Sequence, residues 1–429
     1  MTVQRYTASS WRDGPLSRRR QDLGATREQR AAVAGIVERV RSEGDAALFE
    51  LSQQFDGWRP QAGERLEIDR PAMARALEGL GPGEREALEE AATRIRAYHA
   101  TQTYEESSGG EGLRLITRPV RSAGLYVPGG RAAYPSSVLM TAIPAQVAGV
   151  AEIVLATPPA PDGSVPGAVL AAAALAGVDA VYRMGGAQAI AALAFGTESV
   201  HPVDLIAGPG NIYVALAKRE VFGTVGIDAL AGPTEIMVLA DRSAAPELVA
   251  ADLASQMEHD PMTLAILVTD SPALADAVEE QMSDIVPELQ RREVVEAARC
   301  CLVVADSAAQ ALQIADDFAP EHLSIMAEDG ADLSRQIRNA GAIFLGPWTP
   351  VALADYVIGP NHTLPTGGSA RFASPLGVYT FLKRTSVASV TEGEFAKLQG
   401  SARRLAGMEG LGAHASALAI RMGEGLRNG

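Results

Sequence analysis

At 429 residues the chain exceeds the usual length of a single domain, so two or more domains with sizeable cores are expected. A hydrophobic fraction of 47% with only 5% aromatic side chains and 42 glycines describes a globular α/β protein and excludes disordered, collagenous and disulfide-framed classes. The net charge of −15 argues against nucleic acid or an anionic membrane as partner, since both demand clustered Lys and Arg, and the short basic run Ser17–Gln21 does not reverse that balance.

The opening segment "MTVQRYTASSW" lacks the charged-then-apolar layout of a signal peptide, and the Ala-rich stretches are broken by Gly, Pro or charge before they reach the length of a membrane span. Residues 27–105 carry a helical pattern. In "REQRAAVAGIVERVRSEG", Val33, Ile36, Val37 and Val40 share one face, with Glu and Arg opposite. A second helical block, "PGEREALEEAATRIRAYHA", ends on His99, which is expected at the surface or in a capping role.

From Gly124 the rhythm changes to apolar run, Gly-rich turn and Ala-rich helix. "AGLYVPGG", "AEIVLATPP", "DAVYRMGGAQAI" and "DLIAGPGNIYVA" each read as a buried strand followed by a turn that often opens a helix. A second series follows with "EIMVLAD", "TLAILVTD", "CLVVAD", "HLSIMAED" and "GAIFLG". Such alternation predicts parallel sheets with helices on both faces, in two α/β modules of similar construction. The adjacent Cys300 and Cys301 cannot form an ordinary disulfide and are expected to be small buried residues, which fits a reducing cytoplasm. Beyond about residue 368 the "TLPTGGSARFASPLG" segment connects to a helical tail, read as a small separate element or arm.

Parallel α/β sheets bind ligands at the carboxyl ends of their strands, where Gly-rich turns and helix N-termini receive anions. Tyr126–Gly130, Gly185–Gln188 and Gly208–Asn211 occupy such places. None completes a G-x-G-x-x-G fingerprint, because in the run that starts at Gly208 and Gly210 the sixth position is Tyr213. Each turn alone is equally explained by the backbone's need for glycine. Together, each beside a phenol or side-chain amide, they favour a small-ligand site. In "SQMEHD", Gln256 and His259 lie three apart near a helix end, a spacing used by metal sites and also common by chance. Glu321 and His322 in "PEHL", Asp355 and His362 in "ADYVIGPNHTLPT", and Glu409 and His414 in "MEGLGAHAS" add further nitrogen and oxygen donors suited to Zn²⁺ and to proton transfer near neutral pH. For His362 a loop-capping role, and for His414 an interior position in an Ala-rich helix, remain the alternatives. His201 precedes Pro202 as a strand-entry residue, and Met184, Met237 and Met257 are expected in the core.

Taken in order, "GLYVPGG", "GGAQAIAALAFGT", "AGPGN", "AGPTE", "SQMEHD", "PEHL", "GPNHTLPT" and "EGLGAHA" resemble the histidinol dehydrogenase family over essentially the whole chain. The resemblance implies an NAD-dependent, zinc-requiring cytoplasmic enzyme with one Zn²⁺ per subunit. It would oxidise L-histidinol through the aldehyde to L-histidine and consume two NAD. It implies Gln256, His259, Asp355 and His414 as zinc ligands, Glu321 and His322 as the acid–base pair, and Tyr126, Gln188 and Asn211 as NAD contacts. Thr234, His322, His362, Glu409 and the zinc ligands would surround the substrate. Thr234 stands where many members carry Ser, which keeps a hydroxyl and adds a methyl.

The implied fold is two incomplete Rossmann-like modules with small terminal domains in an intertwined homodimer, the C-terminal arm supplying Glu409 and His414 to the other subunit. The expected segments are 1–23, 24–122 with 233–368, 123–232, and 369–429. A zinc hydrolase using Glu321 to activate water has no use for the three Gly turns. A catalytically silent metal-binding dimer has no use for the Glu321–His322 pair.

Overall fold

The structure is a computed structural model and describes residues 3–17, 24–61, 64–104, 107–108, 112–129 and 133–423; the run at Arg18–Gln21 and Gly130 lie outside them. In chain order the strands are β1 (Val3–Thr7), β2 (Glu67–Ile68), β3 (Ser107–Ser108), β4 (Leu113–Pro119), β5 (Ser122–Tyr126), β6 (Glu152–Thr157), β7 (Ala180–Arg183) and β8 (Leu205–Ala207). They continue with β9 (Gly226–Ile227), β10 (Glu235–Ala240), β11 (Leu264–Thr269), β12 (Arg299–Val304), β13 (His322–Met326), β14 (Ala342–Leu345) and β15 (Leu382–Ala388). Both predicted series of apolar runs are present as strands, and the alternation of strand with Ala-rich helix gives the expected parallel pairing.

Two six-stranded sheets result. One runs β2-β7-β6-β5-β8-β9, parallel except for the antiparallel β2 at its edge. The other runs β1-β12-β11-β10-β13-β14 and is parallel throughout. Because neighbouring residues of a strand face opposite sides, each sheet feeds two cores. Val154, Ala156 and Tyr182 pack on one side of the β5 sheet, with Leu125, Leu155 and Val181 on the other. In the β10 sheet Ile236, Val238 and Leu267 oppose Met237, Leu239 and Ile266. Cys300 and Cys301 are free, buried and inside β12, one on each face. Met184, Met237 and Met257 are fully buried, as expected.

The early helices depart from the segmentation implied by resemblance. Arg27–Glu43 and Asp45–Phe55 place Val33, Val37, Val40, Leu48 and Leu51 against the β5 sheet, and the helix Pro82–Ala100 places Ala91, Ala92 and Ile95 on its other side. Residues expected with the 233–368 module therefore cover the 123–232 sheet. Part of the expected N-terminal domain is likewise absorbed: β1 is an edge strand of the β10 sheet, and Trp11 is buried in its core. His99 is fully buried rather than superficial, its Nδ1 donating to the Ile95 carbonyl at 2.8 Å.

The chain divides into two compact units, Met1–Thr103 with Pro119–Phe381, and Tyr104–Arg118 with Leu382–Gly429. Residues 369–381 thus stay with the sheets; Phe381 is fully buried among Leu139, Met140 and Ile143. The second unit holds the small sheet β15-β4-β3 and the helices Glu392–Met408 and Gly412–Arg421. Thr391 and Glu394 form a reciprocal capping box that starts the first of these helices. Among the described residues no helix is long and apolar enough to cross a membrane.

Candidate active site

The carboxyl ends of the β5 sheet gather the three turns singled out in the sequence. Tyr126 is the last residue of β5 and is buried, its hydroxyl accepting the Gly186 N–H at 3.0 Å. Burial pushes its phenol up to about 12, so it stays a neutral hydroxyl. Gln188, in the first turn of the helix Gly186–Phe195, is buried and donates from Nε2 to Asp56 Oδ2 at 3.4 Å. Burial raises the Asp56 carboxyl to about 6, against hydrogen bonds from the Gly185 N–H and Gln188 that favour the charged form. Asn211 caps the helix Ile212–Val221, its Oδ1 accepting from Tyr213 N–H at 3.0 Å and Val214 N–H at 3.2 Å.

Gly208 makes that last turn possible. Its φ is +114°, and a Cβ there would sit 2.2 Å from the Tyr126 carbonyl oxygen. A buried ion pair fixes its peptide groups. Lys218 Nζ donates to the Gly208 carbonyl at 2.5 Å and to Asp228 Oδ1 at 2.6 Å, while Asp228 Oδ2 accepts the Gly208 N–H at 2.8 Å. Sequence reasoning passed over Asp56, Lys218 and Asp228. Asp56 ends a helix in "QQFDG", and Lys218 and Asp228 sit ten residues apart with no local pattern to join them.

The β10 sheet presents its opposite, amino ends. His322 is the first residue of β13 and lies in register with Ile236 of β10. Both members of the Glu321–His322 pair are secured by one residue, Glu235. Its N–H donates to Glu321 Oε2 at 2.9 Å, and its carbonyl accepts from His322 Nδ1 at 3.0 Å. A carbonyl only accepts, so Nδ1 carries the proton and Nε2 holds the lone pair. Burial lowers His322 to about 4 and raises the Glu321 carboxyl well above its ordinary range. His322 Nδ1 lies 3.6 Å from Glu321 Oε2, but with the imidazole neutral this is proximity, not an ion pair. The imidazole stacks on Phe344 of β14 at 6.1 Å. Gly341 admits the neighbouring strand, since a Cβ there would lie 2.5 Å from the Glu321 carbonyl oxygen. Thr234 precedes Glu235 directly and is half-buried.

Around this pair stand most of the expected metal and substrate residues. Gln256 is buried at the end of the helix Pro246–Met257 and donates from Nε2 to Asp355 Oδ2 at 3.5 Å. Burial raises Asp355 to about 6. His259 follows that helix with its residue open to solvent, yet enough protein surrounds the ring for desolvation to lower its pKa. His362 is half-buried and lowered to about 4 by burial; Nδ1 donates to the Asp355 carbonyl at 2.9 Å, and Nε2 accepts from Ser137 Oγ at 3.3 Å. That bond pattern replaces the simple loop cap considered from sequence. Glu409 and His414 belong to the second unit and are exposed there, which removes the interior alternative for His414.

The donor set fits a borderline cation such as zinc in kind: an amide, an imidazole held neutral and a desolvated carboxylate. Among the described residues no three His, Cys, Asp or Glu side chains gather tightly enough to hold a metal ion. Of the expected zinc ligands, Gln256 and Asp355 are the two that a side-chain hydrogen bond brings together among the described residues.

Two parallel sheets, one with phenol and amide groups at its carboxyl ends and the other with a desolvated carboxyl–imidazole pair at its amino ends, define an α/β enzyme. The model of the family described as histidinol dehydrogenase matches residues 18–422. The chain belongs to the histidinol dehydrogenase family and is an oxidoreductase. It is 47% identical over 411 residues to a histidinol dehydrogenase of Parasynechococcus marenigrum, covering 94% of this chain and 93% of that one. It is 49% identical over 402 residues to that of Burkholderia lata, covering 91% and 92%. The crystal structure of histidinol dehydrogenase from Elizabethkingia anophelis superposes with a TM-score of 0.91 at 33% identity, covering 99% of this chain and 98% of that one.

Proposed function

We propose that the chain catalyses the zinc- and NAD-dependent four-electron oxidation of L-histidinol through L-histidinaldehyde to L-histidine, the closing steps of histidine biosynthesis. The observation that carries the mechanism is the Glu235 peptide, which holds a neutral imidazole and a basic carboxyl at adjacent positions. Gln256, His259, Asp355 and a fourth ligand would hold the zinc, which would supply a Lewis-acidic anchor for the substrate's nitrogens, and two NAD molecules would each take up one hydride. The residues of the chain handle the protons and the orientation.

His322 Nε2 takes the hydroxyl proton in the first oxidation, its lone pair fixed outward by the Nδ1 bond to Glu235. Glu321, made more basic by burial, draws a proton from the water that adds to the aldehyde. His322 passes its first proton to solvent and then serves again as base for the hydrate. Neither step needs a thiol, consistent with Cys300 and Cys301 both lying buried within β12. Thr234, His362 and Glu409 complete the substrate contacts, and Tyr126, Gln188 and Asn211 those of NAD. The fourth zinc ligand, His414, is supplied with Glu409 by the second unit of the partner in a homodimer, which agrees with their exposure in the single chain. The enzyme works in the cytoplasm.

L-Histidinol incubated with excess NAD is expected to yield two NADH per substrate, and chelation to abolish the reaction. One NADH with accumulating aldehyde would refute the four-electron scheme. Turnover of another polar alcohol but not histidinol would refute the substrate.

A further inference from the structure

Proline inside a helix removes one N–H and frees the carbonyl four residues earlier. Pro144 does this within the buried helix Pro135–Ala148, and the residue four before it is Met140. A carbonyl left bare in a core is costly, so a partner is required. That partner comes from the "GPNHTLPT" loop: Asn361 Nδ2 donates to the Met140 carbonyl at 2.5 Å. The same nitrogen lies 3.4 Å from Nε2 of buried His99, and Asn361 Oδ1 accepts the Thr363 N–H at 2.9 Å. With the Met140 carbonyl on one side and the Thr363 N–H on the other, the amide's orientation is determined. One turn before Met140 on the same helix, Ser137 Oγ donates to Nε2 of His362.

We infer that Asn361 is a positioning residue for His362, docking on the acceptor that Pro144 releases and so fixing the angle at which His362 meets the substrate. The Pro144 helix grips two consecutive residues, Asn361 through a backbone oxygen and His362 through a hydroxyl. This inference rests on the assignment of His362 to the substrate. Asn361 itself touches no substrate atom in this scheme; its effect passes through the neighbouring ring.

The test is a double-mutant cycle in the zinc-loaded enzyme, using Asn361→Ala, His362→Ala and the pair, with KM measured separately for L-histidinol and NAD. Asn361→Ala is expected to raise the histidinol KM about tenfold, the loss of one well-placed hydrogen-bonded contact, with the NAD KM unchanged. In the His362→Ala background it should add less than about twofold, since coupled residues are not additive. A histidinol KM unmoved by Asn361→Ala, or effects that multiply in the pair, would overturn the inference. If His362→Ala alone leaves that KM unchanged, the substrate assignment of His362 fails first. Pro144→Ala separates positioning from folding: the restored N–H competes for the Met140 carbonyl. This variant should melt no lower than wild type while its histidinol KM rises; a lower melting temperature with unchanged KM would count against the proposal.

Discussion

The two six-stranded sheets share a parallel construction but present opposite ends to chemistry. The β5 sheet follows the rule for open α/β folds: strands end, glycine turns follow, and Tyr126, Gln188 and Asn211 collect at the carboxyl edge. The β10 sheet works from its amino edge, where Thr234 and Glu235 lead into β10 and Glu321 and His322 into β13. A carboxyl edge offers free N–H groups at helix starts and suits phosphate-bearing ligands. At the amino edge of the β10 sheet, strand register and a single peptide unit set two side chains by backbone bonds. The first arrangement rests on glycine turns and helix starts; the second fixes two side chains through one peptide unit.

Breaking the amino edge should have the largest effect. His322→Asn is expected to cut histidinol oxidation by about 10²–10⁴, the usual worth of a positioned general base, while zinc content stays the same. A loss of zinc in parallel with activity would make His322 a ligand, and activity within tenfold of wild type would move the catalytic site elsewhere.

At the carboxyl edge the sharper probe is Lys218→Met, which leaves Asp228 buried without its cation and the Gly208 carbonyl without its donor. Removing one member of a buried pair costs about 3–5 kcal/mol, so denaturant unfolding should shift by that order. In protein that remains folded, the NAD KM should rise while the histidinol KM stays fixed. Equal changes in both constants would show that the two edges are not separable.

This contrast also explains what could be read from the sequence. Apolar runs bounded by Gly and Pro identified β5–β8 and β10–β14, because burial on both faces writes a continuous hydrophobic signal. Short edge strands such as β2 and β9 carry two residues each and leave no such signal. The helices of residues 27–100 displayed their apolar faces plainly, but an apolar face does not name the sheet it covers, and they were expected on the wrong one. His99 at a charged helix end read as superficial, since nothing local announces that Asn361 and Met140 converge there. Glu321 and His322 were legible as residue types, whereas the device that orients them is the backbone of Glu235, for which side-chain identity is silent. Asp56 reaches Gln188 from a helix end that only the tertiary fold brings near.

Asp56 also provides the finest test of the difference between the edges, because it and the imidazoles respond to acid in opposite senses. His322 and His362 sit at about 4 and His99 below its ordinary 6.5, so the folded state binds fewer protons there than the unfolded chain. Their contribution to stability is present above pH 6.5 and is lost as pH falls towards 4. Asp56 has been raised from an ordinary 3.8 to about 6, so the folded state binds more protons than the unfolded one between those values. Its contribution therefore favours folding at the acid end and is lost as pH rises through 6. In wild type the two slopes partly cancel. Asp56→Asn removes one of them and should leave a steeper fall in melting temperature between pH 6.5 and 4, with stability at neutral pH raised by about 1 kcal/mol as a desolvated charge, only partly offset by its hydrogen bonds, disappears. A melting profile parallel to wild type across that range would mean that Asp56 ionises as freely as on a surface, and that the carboxyl edge is wetter than its packing implies.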